Sequence, residues 1–193
     1  MKNIIESQHG SVLEHAVWNF IICGVSRSFT HELVRHRAGW GYSQLSQRFV
    51  DESETDFIEP DLIGDDEELH SIWLRCVENI IENYKLLIEK LTERVNEKFP
   101  DLGSVMKKKL VRQTARSILP NATETKIFVT ANARALRHFI ELRGSLSADR
   151  EMRKVAVKML RLMQEEAPNI FGDYTIIKAE DGTEIVKTEH RKV

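Results

Sequence analysis

Alternating and helically spaced apolar residues predict a chain that mixes strands with helices. The β-branched and aromatic run at residues 15–25 predicts a buried strand, although its periodicity alone also fits a helix. Partial alternation at residues 42–50 predicts a second strand, and residues 125–131 predict a third. Residues 174–187, with Asp181-Gly182 at the turn, predict a terminal hairpin.

The remaining segments predict helices. Ser28 can cap a short helix over residues 29–36, and residues 65–99 predict a long helix because their apolar residues recur every three or four positions. Three more helices are predicted at residues 103–119, 132–143 and 147–168, the last capped by Ser147. The fold class we expect is α+β, with a small central sheet flanked by helices in a single domain over residues 1–193.

The composition is typical of a folded chain and excludes disordered and fibrous classes. Of the 193 residues, 41% are hydrophobic and 30% are charged, which suffices for one core. No apolar run approaches the roughly 18 residues of a membrane span, and the first residues lack the hydrophobic region of a signal peptide. We therefore expect no membrane association and a cytoplasmic location.

The two cysteines, Cys23 and Cys76, lie far apart in apolar stretches. Their spacing suggests neither a disulfide framework nor a metal site, so we expect no bound metal and two buried thiols. A cysteine nucleophile needs an accessible thiol with a lowered pKa. The sequence therefore argues against a mechanism that attacks its substrate with a cysteine.

Charge is unevenly distributed along the chain. Residues 51–68 hold ten acids and no Lys or Arg, whereas residues 107–143 hold nine Lys or Arg against two Glu. The net charge of −2 disfavours a general nucleic-acid-binding protein, and we expect no nucleic-acid partner. A nucleic-acid-binding surface formed by residues 35–48 and 107–116 nonetheless remains as an alternative, which steep salt dependence of duplex binding would favour.

One short basic cluster is the main candidate for chemistry. Arg35-His36-Arg37 is followed after eight residues by Ser46, with Arg48 just beyond. Cations this close repel each other, and an anion such as a phosphate or carboxylate would relieve that repulsion. A solvated helix end fits the same residues. Arg134 and His138, four apart on a predicted helix, offer a second basic face.

Four ordered elements, taken together, resemble the flavin-dependent thymidylate synthases. Arg-His-Arg followed by Ser46 is similar to the signature of that family, and residues 9–15 are similar to its early His-x-Ser-x-x-Glu-His element. Residues 116–120 resemble its Ala-Arg-x-x-Leu-Pro, and residues 132–143 resemble its Asn-Ala-Arg helix. The resemblance runs from about His9 to Phe171, and four motifs in order are far more specific than one.

The resemblance implies a thymidylate synthase that makes dTMP from dUMP in a homotetramer, with FAD held between subunits. Methylenetetrahydrofolate would supply the carbon, and NADPH would reduce the flavin. The positions that correspond to the flavin site of the family are Ser11, Arg35, His36, Arg37, Gln44, Asn132, Arg134 and His138. Those that correspond to the dUMP site are Glu32, Leu33, Val34, Arg35, Ser46, Gln47, Arg48, Arg116 and Arg143.

Two of these positions carry the roles that the resemblance implies for catalysis, Arg143 and Ser46. Uracil is a poor nucleophile at C5 until negative charge develops on the ring, and Arg143 would stabilise that charge without titrating. Arg48, Arg116 and main-chain N–H groups near Ser46 would hold the phosphate. A related enzyme that methylates another uridine nucleotide, such as UMP, fits the same residues, since selection against a 2′-hydroxyl depends on the shape of the site.

Overall fold

Three strands form a sheet with the order β1-β3-β2. In the computed structural model, which describes residues 2–191, these strands are β1 (Val17–Ser26), β2 (Trp40–Gln44) and β3 (Glu124–Asn132). Burial alternates along β3, with Ile127, Val129 and Ala131 fully buried, as expected for a central strand. The predicted α+β class is confirmed.

The chain divides into two compact units, the first of which contains residues up to 22, residues 29–43 and residues from 128 onwards. Its core is the buried side of α6 (Ala133–Arg143), where Leu136, Phe139 and Ile140 are fully buried. This helix packs on α7 (Arg150–Glu166) and on a 3₁₀ helix, Gly10–His15. The other elements of this unit are α1 (Lys2–Glu6), α8 (Pro168–Phe171), most of α2 (Arg27–Leu33) and a hairpin of β4 (Thr175–Lys178) with β5 (Glu184–Lys187).

The second unit contains residues 23–28 and 44–127 and is built around α4 (Glu67–Lys98), the predicted long helix. The Asp66 side chain caps this helix by accepting from the N–H groups of Glu68 and Leu69. α4 packs on α5 (Ser104–Ala115), which continues into a short 3₁₀ helix, Arg116–Ile118, and on α3 (Asp61–Gly64).

Several predicted boundaries were wrong. β2 ends at Gln44 instead of residue 50, because the N–H groups of Phe49 and Val50 both bond to Ser46 O and form a turn. α2 begins at Arg27 and ends at Leu33 instead of spanning residues 29–36. Ser147 does not cap α7, since the Asp149 carboxylate accepts from the Glu151 N–H at 2.9 Å and takes that role.

The two thiols also differ from expectation. Cys23 and Cys76 are both solvent-exposed instead of buried, so inaccessibility no longer argues against a cysteine nucleophile. Cys23 follows the buried Ile22 on β1, an edge strand, so that alternation turns its side chain outward. Cys76 lies on the side of α4 that carries the exposed Ile72, next to the buried Val77. Within residues 2–191, no helix is both long and apolar enough to cross a membrane.

Candidate active site

Arg143, the last residue of α6, lies in a cluster of charged groups within the first unit. Its Nε donates to His36 Nε2 at 3.0 Å, and its terminal nitrogen donates to a Glu32 carboxylate oxygen at 3.2 Å. The other Glu32 oxygen accepts from Arg35 at 3.1 Å. One carboxylate therefore bridges two guanidinium groups, and the Arg143 side chain remains 19% exposed. The structure thus brings together four of the predicted site residues.

His36 is buried among aromatic rings at the base of this cluster. Its ring centroid lies 5.3 Å from that of Phe139, 6.0 Å from that of His138 and 6.3 Å from that of Trp40. Burial, followed by the charges of Arg143 and His138, lowers the pKa of His36 to about 4, although Glu32 opposes this shift. The imidazole is therefore neutral at pH 7, and its Nε2 is free to accept the hydrogen bond from Arg143.

An NMR titration of His36 should show a midpoint near pH 4. Because the folded-state pKa is depressed, the unfolded chain binds the extra proton first, so the contribution of His36 to stability is complete above about pH 6.5. It is lost as the pH falls through 4. A His36 midpoint near 6.5 would contradict the neutral acceptor.

The start of α6 presents a second group of predicted site residues. The Asn132 side chain caps the helix by accepting from the Ala135 N–H at 2.9 Å. Gly39 packs so closely here that a methyl group on it would lie 2.7 Å from Asn132 Nδ2, and its φ of +76° also favours glycine. Further along the exposed face, Arg134 pairs with Glu14 at 2.6 Å, and His138 is exposed.

The exposed cations of the first unit have the chemistry that a flavin dinucleotide needs. Arg35, Arg37 and Arg134 all belong to the first unit and are solvent-exposed cations, suited to the negative charges of a diphosphate. Ser11 is exposed on the 3₁₀ helix, which packs against α6. The residues present therefore fit the group. Arg137 on α6 is buried and does not belong to this group of exposed cations.

In the second unit, the predicted phosphate-binding residues follow the end of β2. Ser46 begins the turn, and its Oγ accepts from the Arg48 N–H at 3.4 Å. Within the described residues, two buried nitrogens here have no hydrogen-bond partner, Gln47 Nε2 and Arg48 Nε. Buried donors without a partner are rare in folded proteins, so both nitrogens are suited to donate a hydrogen bond to a ligand oxygen.

Arg116, at the start of the 3₁₀ helix after α5, is half-buried in the same unit. Its charge contributes to lowering the pKa of Arg27, a shift that arises first from burial of Arg27 and is opposed by Glu52. The sequence patterns did not indicate that Arg27 lies close enough to Arg116 to interact with its charge. Its position one residue before the predicted cap Ser28 was the only available signal, because nothing in the linear pattern connects it with Arg116.

The remaining predicted positions have structural surroundings of their own. Leu33 is fully buried in α2, and Val34, directly after that helix, is 39% exposed. Gln44 ends β2 and donates to Thr125 Oγ1 at 3.3 Å. The assignments of individual residues to flavin or nucleotide stay predictions.

Comparison with known proteins settles the family. The sequence matches the family model described as "Thymidylate synthase complementing protein" over residues 1–169. It is 47% identical over 185 residues to the flavin-dependent thymidylate synthase of Mycobacteroides abscessus, covering 96% of this chain and 72% of the relative. The chain belongs to the flavin-dependent thymidylate synthase family. The predicted resemblance is confirmed.

A second relative agrees with this membership, and two solved structures share the fold. The flavin-dependent thymidylate synthase of Corynebacterium efficiens is 44% identical over 190 residues, covering 98% of this chain and 74% of the relative. The UMP/dUMP methylase PolB from Streptomyces cacaoi, solved with 5-Br dUMP, gives a TM-score of 0.67 at 23% identity, over 89% of this chain and 76% of that one. Thymidylate Synthase X from Helicobacter pylori, solved with FAD and dUMP, gives 0.61 at 23% identity, over 88% and 80%. These structures share the fold.

Proposed function

We propose that this chain is a flavin-dependent thymidylate synthase that converts dUMP to dTMP, with methylenetetrahydrofolate as carbon donor and NADPH as the source of electrons. The observation that carries the proposal is the position of Arg143. In this chain the arginine lies at the end of α6, partly exposed, with its guanidinium fixed by Glu32 and His36. A planar donor held in this way can donate to a carbonyl oxygen and to the deprotonated nitrogen of an ionised uracil ring together.

Arg143 supplies electrostatic stabilisation. Negative charge on the uracil raises the nucleophilicity of C5, and a guanidinium fixed beside the ring stabilises that charge more in the transition state than in the ground state. Because His36 is neutral, it anchors Arg143 by accepting a hydrogen bond without adding a competing positive charge. Glu32 limits the net charge of the cluster before the nucleotide binds.

The phosphate would be bound by groups of the second unit. Arg48 and Arg116 would provide charge, and the family resemblance implies main-chain N–H groups near Ser46 as further donors, although those of Phe49 and Val50 already bond to Ser46 O in this structure. Gln47 Nε2 and Arg48 Nε, buried without a partner, are donors that a nucleotide can satisfy. Binding at the phosphate fixes the uracil for reaction and so reduces the entropic cost of the encounter.

FAD would lie on the exposed face formed by Arg35, Arg37, Arg134 and the Asn132 end of α6. When bound, it supplies the electrons that reduce the transferred carbon to a methyl group. The cations of the chain balance the diphosphate, and exposed His138 adds a ring donor beside them. Purified protein should show flavin absorption bands, restored by added FAD when the cofactor has been lost. A folded protein that binds no added FAD would contradict the proposal.

The protein should be a homotetramer with FAD between subunits. The flavin face is open to solvent in the single chain, and α4 exposes large apolar side chains, including Leu69, Ile72 and Leu86. Sedimentation of the flavin-loaded protein should give four times the mass of the 22.4 kDa chain. A monomer that binds flavin tightly would contradict the shared site, because one chain would then supply every contact.

The reaction should need no protein thiolate. We expect the double substitution Cys23→Ala/Cys76→Ala to keep dUMP-dependent turnover within about twofold, because exposed side chains contribute little to packing. The double variant is compared with wild type for flavin content, melting temperature and rate. Complete loss of turnover in a folded, flavin-loaded double variant would contradict this mechanism.

Substrate choice is tested by competition. With dUMP and UMP at equal concentration, we expect dTMP to be the main methylated product. A preference for UMP would indicate that the chain is a related uridine-nucleotide methylase instead of a thymidylate synthase. The proposed flavin chemistry would be unchanged. We further propose that the enzyme is cytoplasmic and that residues 1–193 form a single domain. We expect no nucleic-acid partner.

A further inference from the structure

The β4–β5 hairpin is attached directly to the residue that follows Arg143. The Val186 N–H on β5 donates to Gly144 O at 2.8 Å, while Val186 pairs with Ile176 in the hairpin register. The last carbonyls of a helix have no partner within the helix, so a bond at this point stabilises its final turn. The side chain of Val186 is buried.

Gly144 is required here by close packing and not by backbone conformation. Its φ of −81° is open to any residue. A methyl group at this position would lie 2.6 Å from Ile140 O and 2.6 Å from Val186 Cγ2. Any side chain at residue 144 must therefore displace either the hairpin or the end of α6.

Two further residues of α6 contact the same segment. The Arg137 guanidinium makes a two-pronged ion pair with Asp173, just before β4, and also donates to His190 O at 3.2 Å beyond β5. Arg191 pairs with Glu141 at 2.9 Å. The segment from Asp173 to Arg191 thus contacts Arg137 and Glu141 on α6 and Gly144 directly after it. Gly144 is the residue next to Arg143.

We propose that the hairpin is a positioning element for Arg143, and that Gly144 and Val186 form its decisive contact. This inference rests on the proposed function, in which Arg143 acts on the uracil. The hairpin fixes the final turn of α6, which keeps the guanidinium within reach of both His36 and Glu32. The family model ends at residue 169, so the positioning element lies outside the region that it matches.

The test is a double-mutant cycle with the full, flavin-loaded chain. Gly144→Ala and Val186→Ala are each made in wild type and in Arg143→Lys. The control is Gly103→Ala, where a methyl group meets nothing within 4 Å and the φ is −57°. We expect Gly144→Ala to lower kcat/KM for dUMP by about tenfold or more, because small displacements of a catalytic group are costly. Val186→Ala, which keeps the main-chain hydrogen bond, should cost about threefold, and Gly103→Ala nothing.

In the Arg143→Lys background, both substitutions should cost less than about twofold, since they act through a group that is already lost. Equal costs in the two backgrounds would mean that the hairpin supports the fold generally, and would overturn the inference. If Gly144→Ala does not fold, Val186→Ala decides by the same comparison.

Crystal structures of wild type and Gly144→Ala, or of Val186→Ala if the first does not fold, give an answer that does not depend on activity. We expect the contact between Arg143 Nε and His36 Nε2 to be lost in the variant, while the Asn132 cap at the other end of α6 is kept. A variant that retains both Arg143 contacts overturns the inference. If wild type makes no dTMP, the proposed function fails, and the crystal structures still decide whether the hairpin positions Arg143.

Discussion

Replacing Arg143 with Lys should lower single-turnover methyl transfer to dUMP by about a hundredfold or more, the scale for losing one preorganised donor to a developing oxyanion. Lysine keeps the charge but loses the planar fork with which arginine holds two acceptors together. In this chain, the loss is compounded because Arg143 is fixed through two different nitrogens, one bonded to His36 and one to Glu32. A single ammonium cannot reproduce both contacts at once.

The matched control is Arg94→Lys on the exposed surface of α4, which should transfer the methyl group at the wild-type rate. Flavin content should stay the same in both variants, because most expected flavin residues lie away from Arg143, in the segment after α2 and nearer the start of α6; His36, which Arg143 contacts, is the exception. Near-normal transfer in Arg143→Lys would make Arg143 a structural cation at the helix end. Loss of flavin in that variant would place it in the cofactor site instead.

Replacing Asp173 with Ala should destabilise the protein by about 3–5 kcal/mol, as expected when one member of a buried ion pair is removed. Arg137 is 1% exposed and donates to the two Asp173 oxygens at 2.6 and 2.8 Å. Its guanidinium also lies 4.6 Å above the Tyr174 ring, so it cannot reach water without moving the chain around it. The variant leaves a buried charge without its counter-ion, and urea unfolding at pH 7 measures the loss.

The pH dependence of this loss has a definite sign. Burial alone would raise the pKa of Asp173, but hydrogen bonds from Arg137 and Thr188 and the Arg137 charge lower it overall. The stabilisation from this carboxylate is therefore present above about pH 4, its unfolded value, and is lost as the pH falls through the lower folded value. The difference between wild type and Asp173→Ala should accordingly shrink below that pH.

An exposed ion pair provides the control for this experiment. Glu93 lies 3.3 Å from Lys90 on α4, with both side chains more than half exposed. Glu93→Ala should leave the urea midpoint unchanged, because exposed pairs contribute little. A loss from Asp173→Ala as small as that from Glu93→Ala would mean that water reaches Arg137 in the folded protein.

The sequence predicted the elements that have strong local signals. The long helix was predicted at residues 65–99 and found at Glu67–Lys98, and the third strand and the terminal hairpin were also confirmed, since spacing and turn residues determine them. The end of β2 was missed because alternation continues into a segment where main-chain bonds to Ser46 form a turn instead. The exposure of Cys76 was missed because an apolar neighbourhood in sequence does not reveal which side of a helix finds a partner.

The candidate site shows the same boundary between local and long-range information. Arg35, His36 and Arg143 could be selected from motifs, whereas the hydrogen bond from Arg143 to His36 joins residues that are 107 apart in sequence. The neutrality of His36 depends on burial by α6 and is invisible in a basic triplet. The contact between Gly144 and Val186 likewise arises from tertiary packing. In a sequence, a glycine after a helix is usually explained by capping alone, so this contact could not be predicted.

The most direct measurement of the central claim is anaerobic single-turnover transfer from methylenetetrahydrofolate labelled in its transferable carbon. Purified protein is loaded with FAD, reduced, and mixed with dUMP and the labelled folate. We expect labelled dTMP, formed in proportion to reduced flavin, and about a hundredfold slower formation by Arg143→Lys. A folded, flavin-loaded wild type that gives no labelled dTMP would contradict the claim.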